Sequence, residues 1–284
     1  MKPAPLEYRC AESVEEAVGL LAEGGPDAKV LAGGQSLVPM LNMRLARPAL
    51  VVDVNRVAGL DGIVAENGHV RVGATCRQRA AERSAPVRER VPLLAACLPF
   101  VGHAATRNRG TVGGSIAHAD AAAELPLALV ALGGSVVAES VRGRREIAAD
   151  ELFVSHFTTA LAPDELLVET LWPAARPGTG FAFEELALRH GDYALAMAAC
   201  ALLVEGGAVA EARLVLGAVA ARPTLVDVPL AGRAVDAEAV REAAEAARAA
   251  VSPSGHLHAS PEYLRHVTGV LAGRAVLRAW EEAA

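Results

Sequence analysis

Lysine is almost missing from this chain. Lys2 and Lys29 are the only two in 284 residues, and arginine carries the remaining positive charge. Neither lysine sits in a P-loop or an apolar pocket, which excludes Walker-type phosphate binding and Schiff-base chemistry. Cysteine is scarce and scattered: Cys10, Cys76, Cys97 and Cys200 form no C-x-x-C pair. That spacing argues against a disulfide framework, and against an iron–sulfur or zinc site built by this chain alone; free thiols in a reducing compartment are expected. Aromatic residues make up only 4%, so the core must be aliphatic. No basic run occurs and the net charge is −6, which speaks against nucleic acid as a partner. The longest uncharged runs, Leu125–Ala138 and Tyr193–Val204, are too short or too broken by glycine to span a bilayer, and Lys2-Pro3-Ala4-Pro5 is no signal-peptide core. The expected location is the cytoplasm. A G-x-G-x-x-G opening a first strand–helix unit is missing, as is the G-x-S-x-G elbow of hydrolases, so Rossmann and α/β-hydrolase readings both fail.

What the chain does have is hydrophobic content of 52%, much of it alanine, with 21% charge, the balance of an ordered globular protein. Ser13-Val14-Glu15-Glu16 reads as a capping box, followed by a helical face of Val14, Ala17, Val18 and Leu21 that ends at Gly24-Gly25. Strands are expected at Lys29–Ala32 and Leu50–Val54, with a short helix Leu37–Leu45 capped by Ser36. Asn67-Gly68 between Ile63–Glu66 and His69–Gly73 predicts a type I′ hairpin. Thr75 with Gln78 repeats the cap pattern for a helix reaching Glu82, and Pro86–Cys97 and Leu125–Leu132 read as further helices. A second hairpin is expected around Arg142-Gly143, and a strand over Leu166–Trp172. The Pro/Gly cluster Arg176–Gly180 marks a boundary. Beyond it come strands Phe181–Leu188, Ala194–Val204 and Ala208–Leu216, a helix Ala237–Ala250 behind Asp236, and a helix opening at Ser260-Pro261 with Leu264, Val267, Leu271 and Leu277 on one side. The fold class is α+β (mixed α/β). One domain covers residues 1–175, divided near 57/58, and a smaller sheet-plus-helices domain covers 178–284.

Two stretches carry chemistry. Leu31-Ala32-Gly33-Gly34-Gln35-Ser36 and Thr111-Val112-Gly113-Gly114-Ser115 each join a doubled glycine to hydroxyl donors ahead of a helix. Glycine lets backbone N–H groups turn outward and lets a charged ligand approach without meeting a Cβ, and a helix N-terminus adds a favourable dipole. Two such loops suit a cofactor with two linked phosphates. Other Gly-Gly pairs, Gly24-Gly25, Gly133-Gly134 and Gly206-Gly207, read as plain helix ends and turns. Asp120 and Glu124 follow the second loop on a helical turn, suited to acid–base work, to accepting hydrogen bonds from sugar-like hydroxyls, or to plain dipole complementation. Arg107 and Arg109 flank the glycines and suit either phosphate neutralisation or surface ion pairs. His256-Leu257-His258 lies in a Ser-Pro-Ser-Gly loop with no further ligands near it, so no metal site is assigned.

Taken together, AGGQSLVPMLNMRLARP (Ala32–Pro48) and RNRGTVGGSIAHADAAAELP (Arg107–Pro126) resemble the FAD-binding medium subunit of molybdenum hydroxylases, the family of the carbon monoxide dehydrogenase medium chain and the xanthine dehydrogenase flavin domain. Leu166–Pro173 and His190-Gly191-Asp192-Tyr193-Ala194 extend the likeness. The resemblance implies a two-subdomain FAD domain of the vanillyl-alcohol-oxidase/PCMH type, followed by the family's C-terminal domain. It implies FAD bound non-covalently, with Ala32, Gly33, Gly34, Gln35 and Ser36 and Thr111, Val112, Gly113, Gly114 and Ser115 around the pyrophosphate. Asp120 would lie at the ribityl or neighbouring hydroxyls, Leu167 near the adenine end, and Tyr193 near the isoalloxazine. Some relatives carry asparagine in place of Ser115, where serine keeps a donor, and some carry lysine in place of Glu184, which leaves the flavin-edge contacts open.

The role so implied is electron transfer. FAD here would accept electrons from the [2Fe-2S] clusters of a small subunit, downstream of a large subunit with the molybdenum cofactor, in a dimer of heterotrimers, and pass them to an external acceptor. No side chain is assigned a bond-making catalytic role. Two other readings share the same residues: a stand-alone FAD oxidase or dehydrogenase of a small molecule, and a flavin-free scaffold subunit.

Overall fold

The computed structural model describes residues 2–255 and 257–283. Its first layer is a three-stranded parallel sheet in which Leu50–Asp53 lies between Glu7–Cys10 and Ala28–Leu31. Helix Val14–Gly24 crosses from the first strand to the second, and Ser13 Oγ accepts from the Glu16 N–H at 3.1 Å. The return bond of the capping box goes to the N–H of Glu12, not Ser13, at 2.8 Å. All three strands run the same way, so Cys10, Leu31 and Asp53 end level with one another. Loops leaving that edge share one crevice, the usual place for a ligand beside parallel strands.

The second sheet is antiparallel, with five strands in the order Ile63–Glu66, His69–Gly73, Leu166–Pro173, Ser135–Ser140, Gly143–Ala148. Asn67 and Gly68 both take positive φ, 49° and 78°, as a type I′ turn requires. Several local readings shift. The helix expected from Thr75 begins at Gln78 behind Arg77, and Thr75 is buried. The single helix over Pro86–Cys97 is two, Ala85–Arg90 and Pro92–Cys97, because Val91 takes φ −133° before a proline that disfavours helical geometry in its predecessor. Ser36 precedes helix Leu37–Asn42, but its hydroxyl makes no capping bond.

The centre of the molecule is helix Glu124–Ala131, in which every residue is buried. It is covered by the second sheet and its helices on one side and by an antiparallel meander on the other: Thr179–Ala187, Ala194–Glu205, Ala208–Gly217 and Thr224–Val226. Strand Ala194–Glu205 is buried on both faces. Met197 and Ala199 face the central helix, while Ala196, Ala198, Cys200 and Leu202 face helices Ala237–Ala250 and Pro261–Ala283. Alanine serves this strand because helices pack on one face and a second core on the other. In the last helix Leu264 and Leu271 are buried as expected, but Leu277 is 39% exposed. Six residues after Leu271, at about 100° per residue, place it well off the buried stripe. His256 lies outside the described residues, and Leu257 beside it is exposed. Among the described residues no helix is long and apolar enough to cross a membrane.

Met197 ties the meander to the central core: it is fully buried in one cluster with Leu125, Leu127 and Leu129 of the central helix. Met197→Ala is expected to lower unfolding free energy by about 2–5 kcal/mol through the cavity it leaves. Urea denaturation followed by circular dichroism checks this, and an unchanged midpoint would show that the meander is not part of one cooperative core.

Candidate functional site

The two glycine loops, far apart in sequence, meet backbone to backbone. A Cβ on Gly33 would stand 2.5 Å from the carbonyl oxygen of Arg109 and 2.8 Å from Cα of Gly110. Only glycine permits that approach. Gly34 takes φ 71°, which adds a second reason for glycine beside it. The junction is tied by side chains that local sequence patterns do not announce. Asn55, two residues past the central parallel strand, donates from Nδ2 to Ala32 O at 2.8 Å and accepts from Arg77 Nη2 at 2.7 Å. Arg77 Nη1 donates to Arg109 O at 2.5 Å. One arginine thus braces both loops at once. Asp53 beside it is pulled below the usual carboxylate range: burial opposes, but hydrogen bonds from Tyr8 and Asn55 prevail.

A cleft of about 370 Å³ opens at this junction, lined by Ala32 to Gln35, Val38 and Pro39, with Asp53, Asn55 and Arg109 across from them. The two loops offer it different things. Among the described residues, the N–H groups of Gly33, Gly34, Gln35 and Ser36 have no acceptor in the chain, and they precede a helix whose first turn is uncapped. In the second loop the corresponding groups are already used. Val112 N–H donates to Cys76 O, Gly113 N–H to Ala74 O, Gly114 N–H to Thr111 Oγ1 and Ser115 N–H to Thr111 O, at 2.9 to 3.2 Å. Val112 and Gly113 are buried, and a Cβ on Gly113 would lie 2.5 Å from Cα of Ala74. The second Gly-Gly is therefore largely a packing device that seats helix Val112–His118 against the second sheet. Thr111 is itself buried, its Oγ1 capping that helix, which leaves the half-buried hydroxyl of Ser115 as what this loop can turn toward a ligand.

Arg107 does neither of the things read from its position. It is buried, donates from Nε to Glu82 Oε2 at 2.9 Å, and reaches the carbonyls of Pro99, Val101 and Gly102 at 3.1 to 3.3 Å. It pins the segment entering the second loop. Burial opposes ionisation of Glu82, yet Arg107 and Arg79 together hold its carboxyl below the ordinary value. Arg109 is exposed and stays at the cleft.

Beyond helix Val112–His118 the chain turns at Ala119, φ 52°, and Asp120 sits in the turn, its Oδ1 accepting from Ala122 N–H at 2.9 Å. Asp120 is not on a helix; the next helix starts at Glu124. His118 stacks on Phe157 at 4.9 Å between centroids, and burial lowers its pKa against the opposing charge of Asp120. Tyr193 comes from the meander and its side chain stands mostly exposed beside this turn. Desolvation around its hydroxyl, then the charges of Asp120 and Glu124, raise its pKa. Leu167 has its side chain in the main core, next to a bulge in its strand, so backbone atoms are what it could offer a ligand. Glu184 does not face this region. It is buried against the C-terminal helix and ion-paired with Arg278. The next residue, Glu185, is on the opposite face of the strand and shares the field of Glu124. The structure thus joins Ala32–Ser36 to the Arg109–Gly110 backbone that leads into Thr111–Ser115, and sets Tyr193 within the field of Asp120. Asn55 and Arg77 went unread because their roles depend on partners 22 to 32 residues away.

Comparison with known proteins matches the chain to two families in succession. Residues 4–175 match the FAD binding domain in molybdopterin dehydrogenase, and residues 181–279 the CO dehydrogenase flavoprotein C-terminal domain. The chain is 42% identical over 287 residues to the 6-hydroxypseudooxynicotine dehydrogenase complex subunit alpha of Paenarthrobacter nicotinovorans, covering 100% of this chain and 97% of that protein. It is 38% identical to the carbon monoxide dehydrogenase medium chain of Hydrogenophaga pseudoflava over 100% of both. Among solved structures, a chain of carbon monoxide dehydrogenase from Hydrogenophaga pseudoflava, in a form lacking the Mo-pyranopterin moiety of the molybdenum cofactor, superposes with a TM-score of 0.97 at 38% identity over 100% of each chain. Quinoline 2-oxidoreductase from Pseudomonas putida 86 gives 0.94 at 37% identity, over 100% of this chain and 99% of that one.

The Glu82–Arg107 pair generates a pH-dependent expectation. Because the folded carboxyl of Glu82 lies below its unfolded value of 4.5, its stabilisation is complete above that pH and fades as pH falls through the folded value. Glu82→Gln leaves a buried guanidinium without its charge partner and is expected to lower stability by about 2–3 kcal/mol at neutral pH. The gap to wild type should narrow steadily on acidification below about pH 4.5. Denaturant melts of both proteins across that range measure it; a gap that does not depend on pH would refute the ion-pair account.

Proposed function

The chain belongs to the FAD-binding medium subunits of molybdenum hydroxylases, components of oxidoreductase complexes, and on that premise we propose that it is the electron-transferring flavoprotein of such a complex. FAD taken up here would receive electrons from [2Fe-2S] clusters on a small partner subunit and deliver them to an external acceptor, with the molybdenum cofactor on a large partner subunit. A dimer of such heterotrimers in the cytoplasm is the assembly we infer. The scattered cysteines support this division, since clusters must then be carried elsewhere. Residues 1–175 form the FAD domain, divided near 57/58, and 178–284 the C-terminal domain.

The observation that carries the reading is the unpaired row of N–H groups from Gly33 to Ser36, set against the Arg109–Gly110 backbone with no room for a Cβ between them. Such a row suits a pyrophosphate, and the residues present therefore fit FAD. Ala32 to Ser36 supply backbone donors. Ser115 supplies a hydroxyl, while Thr111, Val112, Gly113 and Gly114 hold the loop in place. Asp120 accepts from ribityl or neighbouring hydroxyls, Leu167 lies toward the adenine end through its backbone, and Tyr193 covers the isoalloxazine. When bound, FAD supplies the capacity to take up and release electrons; the chain's task is to hold and orient it without a covalent bond. No side chain needs to act as a bond-making catalyst.

Gly33→Ala would force a methyl into the Arg109 carbonyl, and is expected to weaken FAD binding by about tenfold or more, roughly 1.4 kcal/mol, while the fold persists. Fluorescence titration of the FAD-depleted chain measures this. Wild-type chain that takes up no FAD under any reconstitution condition would defeat the site assignment. Reduction of bound flavin by a small organic substrate without partner subunits would favour a stand-alone dehydrogenase instead.

A further inference from the structure

One group lining the cleft is foreign to a diphosphate site. Asp53 ends the central parallel strand and faces the cleft across from Ala32 to Gln35. Burial opposes its ionisation, but hydrogen bonds from Tyr8 and Asn55 outweigh that, and an anion thus stands opposite donors suited to phosphate. Three bonds hold the side chain in place. Its Oδ1 accepts from the Asn55 N–H at 2.8 Å and from Asn55 Nδ2 at 2.6 Å, and its Oδ2 accepts from the Tyr8 hydroxyl at 2.7 Å. Asn55 is fixed in turn by Ala32 and Arg77, which ties the carboxylate to the first glycine loop. An ionised carboxylate has about four acceptor positions, and one on Oδ2 is left open. The Tyr8 ring tethered there is 54% exposed, and Val38 and Pro39 give the cleft apolar surface.

At about 370 Å³ the cleft stands at the small end of ligand pockets and suits half of a dinucleotide. Asp120 and Tyr193, assigned above to the ribityl and isoalloxazine, stand past the C-terminal end of helix Val112–His118, away from the loop that opens it. The half left for the cleft is the nucleoside diphosphate. We propose that Asp53 is the ribose-recognising residue of an ADP subsite, its open Oδ2 position accepting from a ribose hydroxyl while the diphosphate lies on the Gly33–Ser36 donors and Arg109. The exposed ring of Tyr8 is the flat surface beside it for adenine. This rests on the FAD reading of the preceding section and says which half of that ligand the cleft takes. Leu166 and Val168, on either side of Leu167, share an apolar cluster with Val52 and Val54, on either side of Asp53. The adenine end assigned to Leu167 therefore lies against the layer that carries Asp53. A carboxylate beside phosphates repels them, a cost that a hydroxyl donor on the same ligand offsets. The subsite thereby selects a nucleotide over bare phosphate.

Competition against FAD fluorescence in the FAD-depleted full chain tests this. ADP should displace FAD about tenfold better than 2′-deoxy-ADP or 3′-deoxy-ADP, whichever lacks the hydroxyl that Asp53 accepts. In Asp53→Asn that preference should vanish: ADP weakens to the level of its deoxy analogue, while pyrophosphate binds as well or better, the repelling charge being gone. Tyr8→Phe keeps the carboxylate and should keep the preference. Equal competition by the ribo and both deoxy nucleotides in wild type overturns the proposal, as does no displacement by ADP or a preference that survives in Asp53→Asn. Parallel loss of ADP and pyrophosphate in that variant also overturns it, because it marks a brace of the fold and not a ligand contact. The nucleotide comparison in wild type needs no variant, and it decides the matter even where Asp53→Asn does not fold. Wild-type chain that binds FAD without the hydroxyl preference defeats the subsite alone. Wild-type chain that takes up no FAD, visible by absorbance beforehand, defeats the site assignment and the subsite with it.

Discussion

Contact between the Gly33 backbone and the Arg109–Gly110 backbone is the constraint on which the site depends. Main chains approach this closely only where neither carries an inward Cβ, so the first layer and the second sheet can close on each other at that point and nowhere looser. Arg77 then bonds to both sides, through Asn55 on one and Arg109 on the other. A cleft made in this way takes its shape from the relative placement of two layers. Its donors are backbone groups, whose positions are set by helix and strand geometry more firmly than flexible side chains would be.

The two glycine motifs look alike as strings and differ in use. In the first, the N–H groups remain unpaired and face the cleft; in the second they bond to Ala74, Cys76 and Thr111 and seat a helix. The difference arises because the second loop runs beside the segment after strand His69–Gly73, whose carbonyls are in reach, while the first leaves the open edge of a parallel sheet. Backbone donors are therefore concentrated on one loop, and the other gives it a rigid support.

Carboxylates in the core show how partner geometry decides charge. Glu82 and Glu124 are both held in the interior near Arg107, and their environments push them in opposite directions. Glu82 has two guanidinium partners within hydrogen-bond reach and stays ionised. Glu124 is buried, and that desolvation, with the charge of Asp120 added, outweighs the opposing charge of Arg107, so the proton is favoured. Between them lies the difference between a structural ion pair and a titrating group.

Much of the architecture was legible in the chain itself. The Ser13 cap, the Asn67-Gly68 turn, the Asp236 cap and the alternating and helical patterns of the last hundred residues name their elements, because each depends on neighbours within one or two turns. The glycine loops were legible for the same reason, and their family likeness pointed to FAD. Where the reading slipped, packing had overridden a local preference: Thr75 was drawn into the core instead of capping, and Leu277 fell off the buried stripe. Asn55 and Arg77, the use of the second loop's N–H groups and the burial of Arg107 were decided by tertiary structure alone. Each is a contact between residues far apart in sequence, and hydrogen bonds, desolvation and like-charge repulsion act through space at a few ångströms, a separation that the order of residues along a chain does not encode.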